Sequence, residues 1–273
     1  MKTLYISDLD GTLLHSSEKT SEYTNKIINS LIDKGLLFSY ATARAFETSH
    51  KVTDGLKVNT PLITYNGAMI VDSTNGSLLG KNFFNDDLEN LLKDLFQNDI
   101  FPIIFSCIDN RVVFSYISSK CTPGIKTFVN KRKNDKRANP VENCAELCKG
   151  EIFYITCIDE KSKLEPVWEK YKNLYNCFLQ TNLYTKDEWL EIMPKCASKA
   201  NAVNQLKEYL DCDRVVVFGD GKNDIEMFKI ADESYAVENA VDELKSIATG
   251  IIEGNDSDGV AKWLYNKFYM PGR

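Results

Sequence analysis

Only two histidines, His15 and His50, occur in the 273 residues, and the eight cysteines form no C-x-x-C pair. A structural zinc site asks for four soft ligands at recognisable spacing. Cys144 and Cys148 lie four apart, on one face of any helix there, but neither histidine is near them in sequence. Eight cysteines are also too sparse for a disulfide scaffold in a chain this long, so buried, reduced thiols are expected. No apolar run approaches the ~18 residues of a spanning helix, so no membrane partner is expected. Positive charge is short as well: 33 Lys+Arg against 39 Asp+Glu leave a net charge of −6. Nucleic-acid modules are usually basic, so no nucleic-acid partner is expected either. Residues 1–8 reach an acid too early for a secretory signal, and the expected location is cytoplasmic. There is no internal repeat and no low-complexity tract.

What is present supports folded cores: 43% of residues are hydrophobic and 11% aromatic. At about 150 residues per domain the length corresponds to roughly 1.8 domains, hence two unequal ones. Residues 3–7 form a short apolar run ending in an acidic, Gly-containing turn. Tyr23, Ile27, Ile28, Leu31 and Ile32 then recur at helical spacing up to Gly35. Strands are expected at 36–41 and 62–65, with a hairpin around Asn75-Gly76. Near 82–87 the rhythm changes. Aromatic-rich strand candidates follow at 100–106, 112–117, 152–158 and 177–181, with helices at 88–97 and 164–171 between them. Strand–helix alternation returns after Pro194, with a helix at 200–210 and a buried parallel strand at 215–218. The expected fold is α/β: a doubly wound, mostly parallel sheet carrying an inserted α+β domain. The boundaries read as 1–81 and 190–273 for the core and 82–189 for the insertion.

Asp8-Leu9-Asp10-Gly11-Thr12 directly follows the first strand. Residues two apart on a strand point the same way, so both carboxylates are expected to face one volume beyond the sheet's carboxyl end, where open α/β sheets bind ligands. One acid could serve as an ionised nucleophile and the other as general acid and base; an ordinary acidic turn is the plainer alternative. Gly219-Asp220-Gly221-Lys222-Asn223-Asp224 repeats the arrangement after residues 215–218. Hard oxygen ligands without His or Cys suit Mg²⁺. Thr42 ends another strand, with Ala43 and Arg44 at an expected helix start, where it would be either a cap or a phosphate ligand. Lys199 opens the helix after the insertion, where a lone lysine is ordinarily a surface residue.

Three strand-end motifs, a lysine and an insertion in this order resemble the haloacid dehalogenase-like hydrolases, and among them the Cof-like phosphatases with a large α+β cap. Asp8–Thr12, Thr42, Lys199 and Gly219–Asp224 match the four motifs. Asn66-Gly67-Ala68, Asn239-Ala240 and the stretch from Asn255 to Val260 are further matches. Ala43 stands where the family has Gly, Ala200 follows Lys199 where Gly is usual, and Glu238 precedes Asn239 where a small residue is common; none of these changes removes a reacting group.

The resemblance implies that Asp8 attacks phosphorus to form an aspartyl-phosphate and that Asp10 is the general acid and base. It places Mg²⁺ on the Asp8 carboxylate, the Asp10 backbone carbonyl and Asp220. Thr42, the backbone of Leu9 and Ala43, Lys199 and Asn223 would cradle the phosphoryl oxygens, with Asp224 supporting Lys199. The implied activity is Mg²⁺-dependent hydrolysis of small phosphorylated metabolites, sugar phosphates foremost, by a monomer or weak homo-oligomer. Substrate choice would lie in the cap, with hinges expected at 83–84 and 188–193 and Glu191 near the junction. The basic run from Lys131 to Arg137 reads as a solvated segment or a substrate-attracting one. Two alternative functions are a phosphomannomutase-like phosphotransferase and a phospho-accepting signalling module; receivers of the latter kind are about half this length and lack D-x-D-G-T.

Overall fold

The computed structural model describes residues 1–85, 88–109, 111–181 and 187–270; Asp86 and Asp87, at the expected change of rhythm, lie outside them. The chain begins with β1 (Thr3–Ser7), α1 (Glu22–Ile32), β2 (Leu37–Tyr40), α2 (Phe46–Val52), β3 (Leu62–Thr64), β4 (Met69–Val71) and β5 (Leu78–Lys81). There follow α3 (Leu88–Gln97), β6 (Ile103–Ile108), β7 (Arg111–Ile117), α4 (Pro123–Asn130), β8 (Ala138–Val141), α5 (Cys144–Leu147), β9 (Glu151–Asp159), α6 (Lys161–Tyr171), β10 (Asn176–Thr181) and β11 (Glu188–Met193). The chain closes with α7 (Lys199–Tyr209), β12 (Arg214–Gly219), α8 (Ile225–Ile230), β13 (Glu233–Val237), α9 (Asp242–Lys245), β14 (Gly250–Ile252) and α10 (Gly259–Tyr269).

Two compact units result, one of Met1–Lys81 with Ser198 onward, the other of Asn82–Ala197. The first is built on a five-stranded, wholly parallel sheet in the order β14-β13-β12-β1-β2. Its central strands read as unbroken apolar runs because both faces are covered: Leu4, Ile6, Val215, Val217 and Phe218 are all buried. The chain leaves β1 toward β2 on one side and later adds β12 on the other. The order therefore reverses between β1 and β12, the switch point at which such sheets open a crevice. β3, β4 and β5 form a small antiparallel sheet, joined to the residue after β2 by a parallel bridge between Ala41 and Ile63.

The second unit is a six-stranded sheet, β10-β11-β9-β6-β7-β8, antiparallel except where β7 meets β8. Leu91, Leu95, Ile104, Ile155, Leu164 and Leu190 are among its core. The α+β character was legible in the sequence; α4 and β8 were not. β11 is paired on both sides, to β10 and β9. Residues 190–197 therefore stay with this unit rather than rejoining the first at 190, and the expected hinge at 188–193 is a ladder strand. The basic run lies in the turn after α4, where Arg132 stacks 3.7 Å over Phe128 and Arg137 pairs with Asp135. Trp263 packs against Tyr5, Phe218 and Tyr235, and Trp189 against Phe128.

All eight cysteines are free thiols, but only Cys157 and Cys212 are buried and Cys196 is exposed. The expectation of reduced thiols holds, but that of burial holds only for Cys157 and Cys212: Cys144 and Cys148 border the short helix α5, and Cys196 lies in the turn before α7. Among the described residues no helix is long and apolar enough to cross a membrane.

Asp258 fastens the chain after the first turn to two helices. It adopts φ 56° just before α10, and its Oδ1 accepts from His15 Nε2 at 2.8 Å, Ser21 Oγ at 2.5 Å and Thr24 Oγ1 at 2.9 Å. Burial pushes this carboxyl up, but the donors from Ser21, His15 and Thr24 outweigh it and hold it below the ordinary value. Asp258→Asn tolerates the same backbone but loses the charge, and should cost about 1–2 kcal/mol in urea unfolding at neutral pH. A carboxyl depressed in the folded state stabilises above its unfolded value and loses that contribution as pH falls through the folded one. The gap between wild type and variant should therefore close below pH ~4; a gap independent of pH would contradict the charge-based account.

Candidate active site

Asp8 is the first residue beyond β1. Its N–H donates to Phe218 O at 2.9 Å, continuing the β1–β12 ladder by one step, which sets the side chain at the switch point with 5% exposure. Lys199 opens α7, whose N-terminus is capped by Ser198 Oγ accepting from Asn201 N–H at 3.1 Å. An ammonium at a helix N-terminus opposes the dipole, and this one is only 2% exposed. It is held by two acids, donating to Asp8 Oδ1 at 2.5 Å and Asp224 Oδ1 at 2.7 Å. Burial alone would push the Lys199 ammonium down, but the Asp224 and Asp8 carboxylates outweigh it and hold it above its ordinary value. Lys199 is thus charged and internal, the opposite of a lone surface lysine.

Asp224 is fully buried, and its second oxygen accepts from the amides of Asp220 and Gly221 at 3.1 and 3.0 Å. It therefore fixes both Lys199 and the loop that carries Asp220. Asp220 Oδ1 accepts from Thr12 Oγ1 at 2.9 Å. Gly11, at φ 78°, lets the first turn pass against Asp220: a Cβ there would lie 2.4 Å from Asp220 Oδ2. Asn239 Nδ2 donates to Gly11 O at 2.7 Å, and Asn255 bonds both Asn239 Oδ1 and Leu14 O. The two asparagines thus hold the first turn in place.

Carboxylate oxygens of Asp8, Asp220 and Asp224 lie within 4.8 Å of one another. Fully ionised, three carboxylates and one ammonium would carry two uncompensated negative charges in this space, a deficit that a divalent cation would fill. The donors are all oxygen, suiting a hard ion such as Mg²⁺. Carboxylates gathered this closely repel one another unless a proton or a cation lies among them. Without such a cation, burial pushes the Asp8 carboxyl well up, and that of Asp220 up as well.

The structure therefore brings Asp8, Lys199, Asp220 and Asp224 together. Asp10 it sets apart: its half-exposed carboxylate is forked by Arg44, with Nε at 2.8 Å from Oδ2 and Nη2 at 2.5 Å from Oδ1. The two-residue alternation expected to align Asp8 with Asp10 ends with the strand at Ser7, and the backbone beyond it winds into a turn over Leu9–Leu13. Leu9 is buried in the core, and Ala43 is exposed. Thr42 is buried at the end of β2, its N–H donating to Ile63 O. It does not sit at a helix start. α2 begins only at Phe46, and Thr42–Arg44 is instead a turn in which Thr42 Oγ1 accepts the Arg44 N–H at 3.1 Å. Thr42 O–H is then left to donate elsewhere. Asn223 Nδ2 donates to Asn66 Oδ1 at 3.3 Å. Glu191 is placed on β11, where burial pushes its carboxyl up against the lowering effect of a Tyr154 hydrogen bond. The motif reading gave no role to Thr12, Arg44 or Asn66. Thr12 and Asn66 lay inside matched stretches, and Arg44 offered a cation two residues after a strand-end hydroxyl.

A family model described as haloacid dehalogenase-like hydrolase matches residues 5–264. A protein of Buchnera aphidicola subsp. Baizongia pistaciae is 32% identical over 99% of both chains. The Bacillus subtilis 5-amino-6-(5-phospho-D-ribitylamino)uracil phosphatase YwtE is 27% identical over 97% of both. A haloacid dehalogenase-like hydrolase from Bacteroides thetaiotaomicron superposes with a TM-score of 0.79 at 22% identity, over 98% of this chain and 100% of its own.

Lys199→Met should strand two buried carboxylates and cost about 3–5 kcal/mol in urea unfolding without divalent ions. The deficit should narrow as pH is lowered and the stranded acids take up protons, and shrink in the Lys199→Met/Asp224→Asn pair. A loss below ~1 kcal/mol would show the contact to be no stronger than a surface ion pair.

Proposed function

The chain belongs to the haloacid dehalogenase-like hydrolases, and as a phosphatase of that family we propose that it hydrolyses small phosphomonoesters with Mg²⁺ through a phosphoryl group carried on Asp8. The observation that carries the reading is the buried Asp8 carboxylate at the switch point, one oxygen fixed by Lys199 and the group within 4.8 Å of the Asp220 and Asp224 carboxylates. Asp8, Asp220 and the backbone carbonyl of Asp10 would hold the ion. The bound ion supplies charge neutralisation at the nucleophile and the phosphoryl group.

The side chains take the following parts. Lys199 aims Asp8, favours its ionised form together with the bound ion, and adds positive charge beside the phosphoryl oxygens. Thr42 O–H, Asn223 and the amides of Leu9 and Ala43 grip those oxygens. Positioning and charge neutralisation dominate phosphoryl transfer, so a rigid cradle is what the reaction requires. A carboxylate oxygen of Asp8 attacks phosphorus and the P–O bond to the leaving group breaks. Asp10 delivers the proton that turns the leaving alkoxide into an alcohol. In the second half Asp10 takes a proton from water, the water oxygen bonds to phosphorus, and Asp8 departs as carboxylate. Arg44 holds Asp10 at the rim between these steps. Asp224 anchors Lys199 without touching substrate.

We place the substrate among sugar and sugar-alcohol phosphates. The family resemblance assigns phosphate and metal to the first unit, and on that reading the second unit selects the leaving group. YwtE is named for a phosphate ester on a ribityl chain, which supports a polyol leaving group.

Phosphate release should be measured over a panel of sugar and polyol phosphates. Chelation should abolish turnover and added Mg²⁺ restore it. Asp8→Asn should lower kcat by roughly 10⁴-fold or more while the unfolding curve is retained, and Asp10→Asn by ~10²–10⁴-fold. Near-normal turnover in purified Asp8→Asn protein would defeat the assignment.

A further inference from the structure

The turn Tyr65–Gly67 between β3 and β4 holds three successive residues at positive φ: Tyr65 at 50°, Asn66 at 52° and Gly67 at 96°. A bulky aromatic there is a real outlier, and such strain persists only where the surroundings over-determine it, most often at functional sites. The surroundings are visible. Tyr65 N–H donates to Arg44 O at 3.1 Å and Asn66 N–H to Thr42 O at 2.9 Å. Gly67 lies so close to the start of α7 that a Cβ would sit 2.2 Å from Ser198 O. The turn is thereby fastened to Thr42 on one side and to the residue before Lys199 on the other.

The side chain of Asn66 adds a third attachment. Asn66 is 5% exposed, and its Oδ1 accepts from Asn223 Nδ2 at 3.3 Å. A primary amide has two N–H donors and one oxygen acceptor. With one N–H engaged by Asn66, the amide plane of Asn223 is set and its second N–H is left to donate. Free to turn over, the same amide would offer its oxygen to an anion as readily as its nitrogen. Asparagine also suits the position because it tolerates the left-handed backbone that most side chains resist.

We infer that Asn66 is a positioning residue for phosphate recognition, its Oδ1 locking the Asn223 amide so that an N–H, and not the oxygen, meets the phosphoryl group. The inference rests on Asn223 being a phosphate ligand. The strained turn is then the price of placing one acceptor between the Thr42 and Asn223 loops.

Inorganic phosphate, assayed as a competitive inhibitor of 4-nitrophenyl phosphate hydrolysis, is the probe. Asn66→Gly keeps the backbone conformation without strain and removes the acceptor. It should raise the phosphate Ki by roughly three- to ten-fold. In an Asn223→Ala background the same change should add nothing, because the group it orients is gone. An unchanged Ki in Asn66→Gly, or an equal further rise on top of Asn223→Ala, overturns the inference. If Asn223→Ala itself leaves Ki unchanged, the phosphate reading of Asn223 fails, and the role of Asn66 falls with it.

Discussion

A single ammonium determines most of what surrounds it. Lys199 is internal, sits at the unfavourable end of a helix, and is shared between Asp8 and Asp224. Burying such a charge costs several kcal/mol unless its partners are well placed, so each partner must itself be held. Asp8 is held by the ladder to β12, and Asp224 by the two amides it accepts from. Asp8 and Lys199 lie 191 positions apart in sequence. Closing that distance requires the parallel sheet to be complete and α7 to start at the residue it does.

The same requirement explains a group of small and polar residues that contribute no chemistry of their own. Gly11 and Gly67 stand where a Cβ would collide with Asp220 and with the Ser198 carbonyl. Thr12, Asn239 and Asn255 bind the first turn to neighbouring strand ends. Together they tie these loops into one cradle. Preorganised dipoles and charges of this kind need no rearrangement as the reaction proceeds, whereas substrate contacts can vary elsewhere in the chain.

The fold class was legible because buried parallel strands are short unbroken apolar runs ended by turn residues, as at Val215–Val217 and Leu4–Ile6. Clustering of Asp8 with Asp220 was legible from two similar turns after two such strands. What escaped was anything decided by tertiary partners. Asp10 turns away because the strand ends one residue before Asp8 and Arg44 offers a fork. Thr42 lies in a turn because its hydroxyl takes the Arg44 amide before α2 can begin. β8 contains Pro140 and lies at a sheet edge, the place where a proline is tolerated, so its sequence carries no strand signal. β11 was missed as part of the second unit because membership depends on pairing with β9 and β10 rather than on its own composition.

The account stands or falls on where the phosphoryl group rests between its two transfers. A single turnover of Asp10→Asn protein with Mg²⁺ and a labelled phosphomonoester, quenched in acid and mapped by peptide mass spectrometry, locates it directly. The account predicts one phosphoryl group on the carboxylate of Asp8, sensitive to hydroxylamine. A phosphoryl group on any other side chain, or complete hydrolysis with none on the protein, would contradict it.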